Sequence, residues 1–242
     1  MIKLENIDKI IAANWKLNGS RTFVENYLSE ISIKDKNNDK NCVVICPPFP
    51  FLSKMKATNF YLGAQDCSSF EQGAYTGEVS AQIIKEFGCQ FCIIGHSERR
   101  NVFNDNNDII SKKINNCIKN NIVPILCIGE SLSQKKENLT EYILKEQIQK
   151  NLPRNIDANQ FVIAYEPLWA IGTGLVPEMN DISKIHKYIK QKIFKNDNIK
   201  ILYGGSVKAT NYKNILNLEG VDGLLVGGAS INLDEFNKII EF

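Results

Sequence analysis

The chain has 242 residues, of which 43% are hydrophobic and 23% charged, with a formal net charge of +2. This is the composition of an ordinary globular protein, and a net charge near zero gives no reason to expect binding to nucleic acid or to a membrane. No stretch has the length and apolarity of a signal peptide or of a membrane span, which favours a cytoplasmic location. Seven cysteines in such a chain predict buried free thiols rather than disulfides.

Eight short apolar runs follow one another along the chain and alternate with amphipathic stretches. Nearly continuous apolar strands indicate a parallel sheet covered by helices, and eight such units in about 250 residues predict an α/β fold, a single (β/α)8 barrel over residues 1–242. An open doubly wound sheet would carry Gly-x-Gly-x-x-Gly after its first strand, which "NWKLNG" does not match. The predicted strands lie in 9–16, 42–48, 60–66, 89–97, 122–130, 161–167, 199–206 and 221–230.

Helical periodicity is clearest in three of the stretches between these strands. Apolar residues recur at i, i+3 and i+4 in 80–87, 108–120 and 181–194. Asp181 is the predicted N-cap of the last of these helices, and His186 within that helix is expected at the surface.

The residues suited to chemistry come where apolar runs end. Asn14 and Lys16 end the first run, His96 the fourth and Glu166 the sixth, while Glu130 follows the fifth. In a barrel these positions converge on the face where barrel enzymes carry their active sites. Burial of a carboxylate in such a pocket raises its basicity, so this set predicts proton-transfer chemistry.

Glycine-rich turns follow the last three strands and suggest a phosphate site. Backbone amides approach an anion closely where no Cβ intervenes, and the loops after strands seven and eight are the usual phosphate site of a barrel. The chain holds two histidines, far apart and without metal-binding spacing, so we expect no metal and no organic cofactor. The turn residues are Gly172, Gly204, Gly205, Ser206, Gly227 and Gly228.

The motifs "NWKLNG", "GHSERR", "ILCIGE", "AYEPLWAIGTG", "LYGGSV" and "VGGAS" together resemble the triosephosphate isomerase family, from the first strand to the last. The resemblance implies a TIM barrel that interconverts dihydroxyacetone phosphate and D-glyceraldehyde 3-phosphate through an enediolate, in glycolysis and gluconeogenesis, without a cofactor. It implies that Glu166 is the base and that neutral His96 polarises the carbonyl. Lys16 would stabilise the enediolate and Asn14 would orient it. The implied phosphate ligands are the amides of Gly172, Ser206, Gly227 and Gly228.

The resemblance also implies a lid and a homodimer. The stretch 67–80 would be an arm that docks into a second subunit, with Tyr75 and Thr76 at the contact. In two places the chain departs from the family pattern: Leu175-Val176-Pro177 replaces a lysine, a small polar residue and alanine, and Asn104-Asp105 stands where the family often has a glutamate. The implied lid comprises Pro167, Leu168, Trp169, Ala170, Ile171, Gly172, Thr173, Gly174, Leu175 and Val176.

Two other functions stay open on the residues alone. One is a barrel aldolase that uses Lys16 to form a Schiff base with its substrate. The other is a non-catalytic module that binds a phosphorylated sugar. His96 and Glu166 favour proton transfer over both.

Overall fold

The computed structural model describes residues 2–33, 40–55, 59–171 and 177–241. Their eight parallel strands form a closed barrel in which each strand lies beside its neighbours in the chain. The barrel closes where the first strand pairs with the last, with Ile10 opposite Gly223 and Ala13 opposite Val226. The predicted (β/α)8 barrel is confirmed. The strands are β1 (Lys9–Asn14), β2 (Asn41–Cys46), β3 (Tyr61–Ala64), β4 (Phe91–Ile94), β5 (Val123–Ile128), β6 (Val162–Tyr165), β7 (Ile201–Tyr203) and β8 (Gly223–Val226).

Helices cover the outside of the barrel. The predicted helices 80–87 and 108–120 are confirmed as α2 and α4, and 181–194 is α7 followed by a π-helical stretch, Ile189–Phe194. The predicted cap at Asp181 is wrong: α7 begins after Glu178, and Asp181 lies in its first turn. The helices are α1 (Arg21–Glu30), α2 (Ala81–Glu86), α3 (Ser97–Val102), α4 (Asn107–Lys119), α5 (Leu132–Lys136), α6 (Thr140–Asn151), α7 (Met179–Tyr188), α8 (Tyr212–Leu216) and α9 (Leu233–Ile240).

The strands are apolar on both faces because each face packs against a different part of the core. Ile10 and Ala12 of β1 belong to the cluster that fills the barrel, whereas Ile11 and Ala13 belong to the cluster beneath the helices. Alternate side chains of a strand point to opposite faces, so both sets are buried. This packing leaves the strand ends as the place where polar side chains meet a cavity.

A buried ionic network joins β3, α3 and α4 on one side of the barrel. The Lys113 Nζ lies 2.6 Å from Asp105 Oδ2 and 2.8 Å from Asp66 Oδ2. The Arg99 Nε lies 3.2 Å and 3.1 Å from the same two oxygens. Asp105, one of the two departures from the family pattern, therefore ties the segment after α3 to α4.

His186 is fully buried, so the expectation that it lies at the surface is wrong. It falls on the apolar stripe of α7, four residues after the buried Ile182. Its Nδ1 lies 3.2 Å from the Gly220 carbonyl oxygen, to which the neutral ring donates. Burial lowers the pKa of His186 to about 3.

All seven cysteines are free and buried, as the sequence predicts. Within the described ranges, no helix combines the length and the apolarity needed to cross a membrane.

Candidate active site

A cavity of about 480 Å³ opens at the carboxyl ends of the strands. It brings together Asn14 and Lys16 after β1, His96 after β4 and Glu166 after β6. The glycine-rich turns after β7 and β8 form its opposite wall. The predicted residues that line it are Asn14, Lys16, His96, Glu166, Ile171, Gly204, Gly205, Ser206, Gly227 and Gly228.

Glu166 and His96 form a buried pair inside the cavity. The His96 Nε2 lies 3.2 Å from Glu166 Oε1, and only 2% of Glu166 and 6% of His96 is exposed. The backbone N–H of Ser97 donates to Glu166 Oε2 at 3.2 Å. The carboxylate is thus held by the His96 ring and by the Ser97 backbone amide, which lies at the start of α3.

The local turn fixes the tautomer of His96. His96 precedes α3, and its Nδ1 accepts the backbone N–H of Glu98 at 3.2 Å. Because Nδ1 accepts, the neutral ring carries its proton on Nε2 and donates it to Glu166. The imidazole therefore presents an N–H donor to the cavity.

Lys16 is held in an uncommon backbone conformation, with φ at 54°. Its N–H donates to Asn14 Oδ1 at 3.0 Å, and its carbonyl accepts Gln65 Nε2 at 2.9 Å. A non-glycine residue with positive φ costs free energy, and it persists where surrounding contacts hold it. The Lys16 Nζ lies 2.6 Å from Glu98 Oε1, so the ammonium is positioned by an ion pair as well as by its strained backbone.

The glycines after β7 leave no room for side chains, whereas those after β8 border more open space. A Cβ on Gly204 would lie 2.9 Å from Glu166 Cγ, and one on Gly205 would lie 2.2 Å from Tyr203 Oη. A Cβ on Gly228 would meet no atom within 4 Å, so the backbone there borders open space. Backbone of this kind suits close approach by an anion.

Glu130 lies outside the cavity and supports the predicted lid. Its Oε1 accepts Trp169 Nε1 at 3.0 Å and the Tyr165 hydroxyl at 3.3 Å. Burial raises the pKa of Glu130. On the cavity side, the Ser206 hydroxyl donates to the Ala170 carbonyl at 2.7 Å. The described part of the predicted lid, Pro167 to Ile171, is therefore held by hydrogen bonds on two sides, to Glu130 and to Ser206.

The rest of the predicted lid lies outside the described residues. It consists of Gly172, Thr173, Gly174, Leu175 and Val176. The predicted contact residues Tyr75 and Thr76 are exposed, and the Tyr75 ring stacks on that of Phe70 with centroids 3.6 Å apart.

Sequence reasoning missed three residues that position the predicted ones. Ser97 and Glu98 stand within "GHSERR", where a helix start directly after His96 could have indicated amides and a carboxylate near the ring. Gln65 carries no such signal, because its two hydrogen bonds reach the carbonyls of Lys16 and of Cys46 across the barrel.

Together, the closed barrel, the carboxylate–histidine pair, the ion-paired lysine and the glycine-rich wall have the features of a barrel enzyme with its site at the carboxyl ends of the strands. The family model for triosephosphate isomerase matches residues 9–242. The chain belongs to the triosephosphate isomerase family, and it is an isomerase.

Relatives match over nearly their whole length. The triosephosphate isomerase of Buchnera aphidicola subsp. Schizaphis graminum is 46% identical, with 96% of each chain covered. That of Francisella philomiragia subsp. philomiragia is 39% identical over 97% of this chain and 96% of its own. The crystal structure of triosephosphate isomerase from Bartonella henselae superposes with a TM-score of 0.87 at 32% identity, covering 97% of this chain and 98% of that one.

Proposed function

We propose that this chain interconverts dihydroxyacetone phosphate and D-glyceraldehyde 3-phosphate through an enediolate, with Glu166 as the base. One observation carries the proposal: a buried carboxylate and an imidazole N–H lie 3.2 Å apart in a cavity that also holds an ammonium group. Proton transfer between adjacent carbons needs such a base together with a donor to the carbonyl oxygen.

Glu166 takes a proton from C1 of the ketose while His96 Nε2–H donates to the oxygen on C2. The resulting enediol returns the hydrogen of its C1 oxygen to His96, and Glu166 delivers its proton to C2. Both protein groups end in their starting states, so the cycle needs no cofactor. The hydrogen bonds from His96 and Ser97 to Glu166 must break as substrate enters, so that the carboxylate can take the proton from C1.

Lys16 supplies the positive charge beside the developing oxyanion, and Asn14 holds the Lys16 backbone. A fixed cation in a water-poor cavity stabilises such charge more strongly than water does. A Schiff base would require Lys16 as a neutral amine. The Lys16 Nζ lies 2.6 Å from the Glu98 carboxylate, and this ion pair supports isomerisation over aldol chemistry.

The phosphate binds at the glycine-rich wall, where Ser206, Gly227 and Gly228 offer backbone amides. Gly172 would donate a further amide from the lid. Closure of Pro167 to Val176 excludes water and guards the enediolate against loss of phosphate. The anchoring of Ala170 by Ser206 supports this arrangement, because it links the lid to the phosphate wall.

The proposal includes one domain over 1–242, a homodimer and a place in the cytoplasm, where the reaction serves glycolysis and gluconeogenesis. Pairing of β1 with β8 supports the single domain. The exposed stacked rings of Phe70 and Tyr75 support a docking arm, since apolar rings are usually covered. The free cysteines suit a reducing compartment.

The test follows dihydroxyacetone phosphate in heavy water, with the aldose product measured by a coupled dehydrogenase. An isomerase gives product and incorporates deuterium at the exchanging carbon. A binding module gives neither result, and an aldolase gives a covalent adduct when borohydride is added. Either of these last outcomes would overturn the proposal.

A further inference from the structure

Three cysteines far apart in the sequence meet in one buried cluster. Cys67 follows β3, Cys92 lies in β4 and Cys117 lies in α4, and the three Sγ atoms all lie within 4.8 Å of one another. The Sγ atoms of Cys67 and Cys117 are 3.6 Å apart. The cluster does not line the active-site cavity, and the isomerisation does not use it.

The spacing of the sulfurs fits a metal-thiolate site. Metal–thiolate bonds are about 2.3 Å long, so three sulfurs around one cation in a plane lie about 4 Å apart. The 3.6 Å between Cys67 and Cys117 and the 4.8 Å limit on the other two separations are compatible with that value. Small movements of the three side chains would therefore suffice to place one ion among them.

The ligand set also indicates which ion fits. Thiolates select soft cations such as Cu(I) and zinc, and structural zinc takes four ligands. Among the described residues, no fourth His, Cys, Asp or Glu has a ligand atom within that distance of all three sulfurs. A buried three-sulfur set favours a monovalent soft cation with trigonal coordination.

We propose that Cys67, Cys92 and Cys117 form a binding site for one Cu(I) ion per chain, separate from the active site.

Binding of the ion displaces the thiol protons. Coordination by three sulfurs releases the three protons to solvent and leaves the site negatively charged.

Entry of the ion requires movement at the start of the stretch 67–80. Cys67 is 2% exposed and is the first residue of that stretch, whereas Cys92 and Cys117 are fully buried. The Ser68 N–H donates to the Val79 carbonyl at 2.8 Å, and this bond must open to uncover Cys67. We therefore expect slow loading of the folded protein.

The experiment titrates the full chain with Cu(I) without oxygen, against bathocuproine disulfonate as a competing chelator. We expect one tightly held Cu(I) per chain, with three sulfur neighbours at about 2.3 Å by X-ray absorption. Cys117→Ser should weaken binding by about 100-fold or more, since changes to outer contacts alone cost 10- to 100-fold. Cys89→Ser, which changes a fully buried cysteine outside the cluster, should leave binding unchanged.

The X-ray absorption measurement uses the unaltered chain, so it tests for three sulfur ligands even if Cys117→Ser fails to fold. Absence of Cu(I) uptake, or fewer than three sulfurs around the bound ion, would overturn the proposal. Undiminished affinity in a folded Cys117→Ser protein would overturn it as well.

Discussion

At the scale of single residues, Glu166 packs closely against the glycines of the two neighbouring strand ends. A Cβ added to Gly129 would lie 1.7 Å from the Glu166 carbonyl oxygen, and one added to Gly204 would lie 2.9 Å from its Cγ. This packing leaves the backbone of Glu166 little room to make up for a shorter side chain.

We expect Glu166→Asp to lower kcat on the order of 10²-fold, because the carboxylate withdraws by about 1 Å from the proton it must take. Steady-state kinetics with dihydroxyacetone phosphate would measure this. Glu137→Asp makes the same change at an exposed carboxylate after α5 and should leave kcat unchanged. Normal turnover by Glu166→Asp would contradict its role as the base.

The sequence predicted the polar residues that meet in the cavity but not all of those that hold them in place. Lys16, His96 and Glu166 each end an apolar run, and the position of strand ends follows from the barrel. Gln65 acts through contacts between segments far apart in the chain, which no local pattern records, whereas the helix start after His96 could have indicated Glu98. The expectation for His186 was wrong because it followed the polarity of the side chain, whereas the position four residues after Ile182 on the apolar stripe indicates burial.

At the scale of elements, an ionic network joins α4 to α3 and to the end of β3. Lys113 is 3% exposed and pairs with two carboxylates, so its removal leaves Asp66 and Asp105 with only the half-buried Arg99 to balance two charges in a poorly solvated place. Breaking a buried pair from one side is far more costly than removing the whole pair.

We expect Lys113→Met to reduce the free energy of unfolding by about 3–5 kcal/mol, measured by urea denaturation at neutral pH. Lys119→Met is the matched control, because Lys119 lies on the same helix and pairs with Glu71 at 2.7 Å with both side chains exposed. An exposed pair contributes about 0–1 kcal/mol. Equal losses of unfolding free energy in the two variants would show that the buried network stabilises the fold no more than an exposed ion pair does.

The packing of α7 against the turn at Gly220 makes stability depend on pH through His186. The folded state keeps this ring neutral down to about pH 3, while the unfolded chain takes up a proton near 6.5. The unfolded state therefore gains the proton first, and the folded state loses stability as the pH falls between those values. Above about pH 7 the group has no effect.

We expect His186→Asn to flatten this dependence, because Asn keeps a donor near the position of Nδ1 and does not titrate. Between about pH 6 and pH 4, the unfolding free energy of the unaltered chain should fall more steeply than that of the variant, by up to about 1.4 kcal/mol per pH unit. Carboxylates titrate in both proteins, so their effects cancel in the comparison. Parallel profiles from denaturant titrations would show that His186 is protonated in the folded state.

At the scale of the whole molecule, the stretch 67–80 is the feature that the proposed dimer depends on. Its ends already touch, since Ser68 donates to the Val79 carbonyl. A short glycine turn can therefore replace residues 70–77 without disturbing β3 or α2. The replacement removes the exposed pair of Phe70 and Tyr75.

We expect the shortened chain to be folded and monomeric by sedimentation velocity and circular dichroism. Its kcat should fall on the order of 10²-fold, because residues at the active face lose the partner that steadies them to within about 1 Å. The double variant Phe70→Ser, Tyr75→Ser, which keeps the length, serves as the comparison for loss of the rings alone. A shortened chain that remains dimeric would exclude this stretch as the docking arm.

The whole barrel was predictable because strand count and chain length leave few closed arrangements for eight buried strands. The side-chain clusters that join different elements could not be predicted in this way. The cysteine cluster and the Lys113 network each join β3, α3, β4 or α4 at points where the sequence shows only ordinary core or surface residues.

Closure of the barrel by β1 and β8 has a consequence for how the chain is made. The ribosome produces β1 first, but the edge that faces β8 stays without a partner until about 210 further residues have been added, roughly 10–40 s at ~5–20 residues per second. An apolar strand with an open edge can pair with another nascent chain during that interval. Chains translated close together on one messenger would meet in this state, so slower initiation or a chaperone bound to β1 should raise the yield of active protein more than any change to the finished barrel.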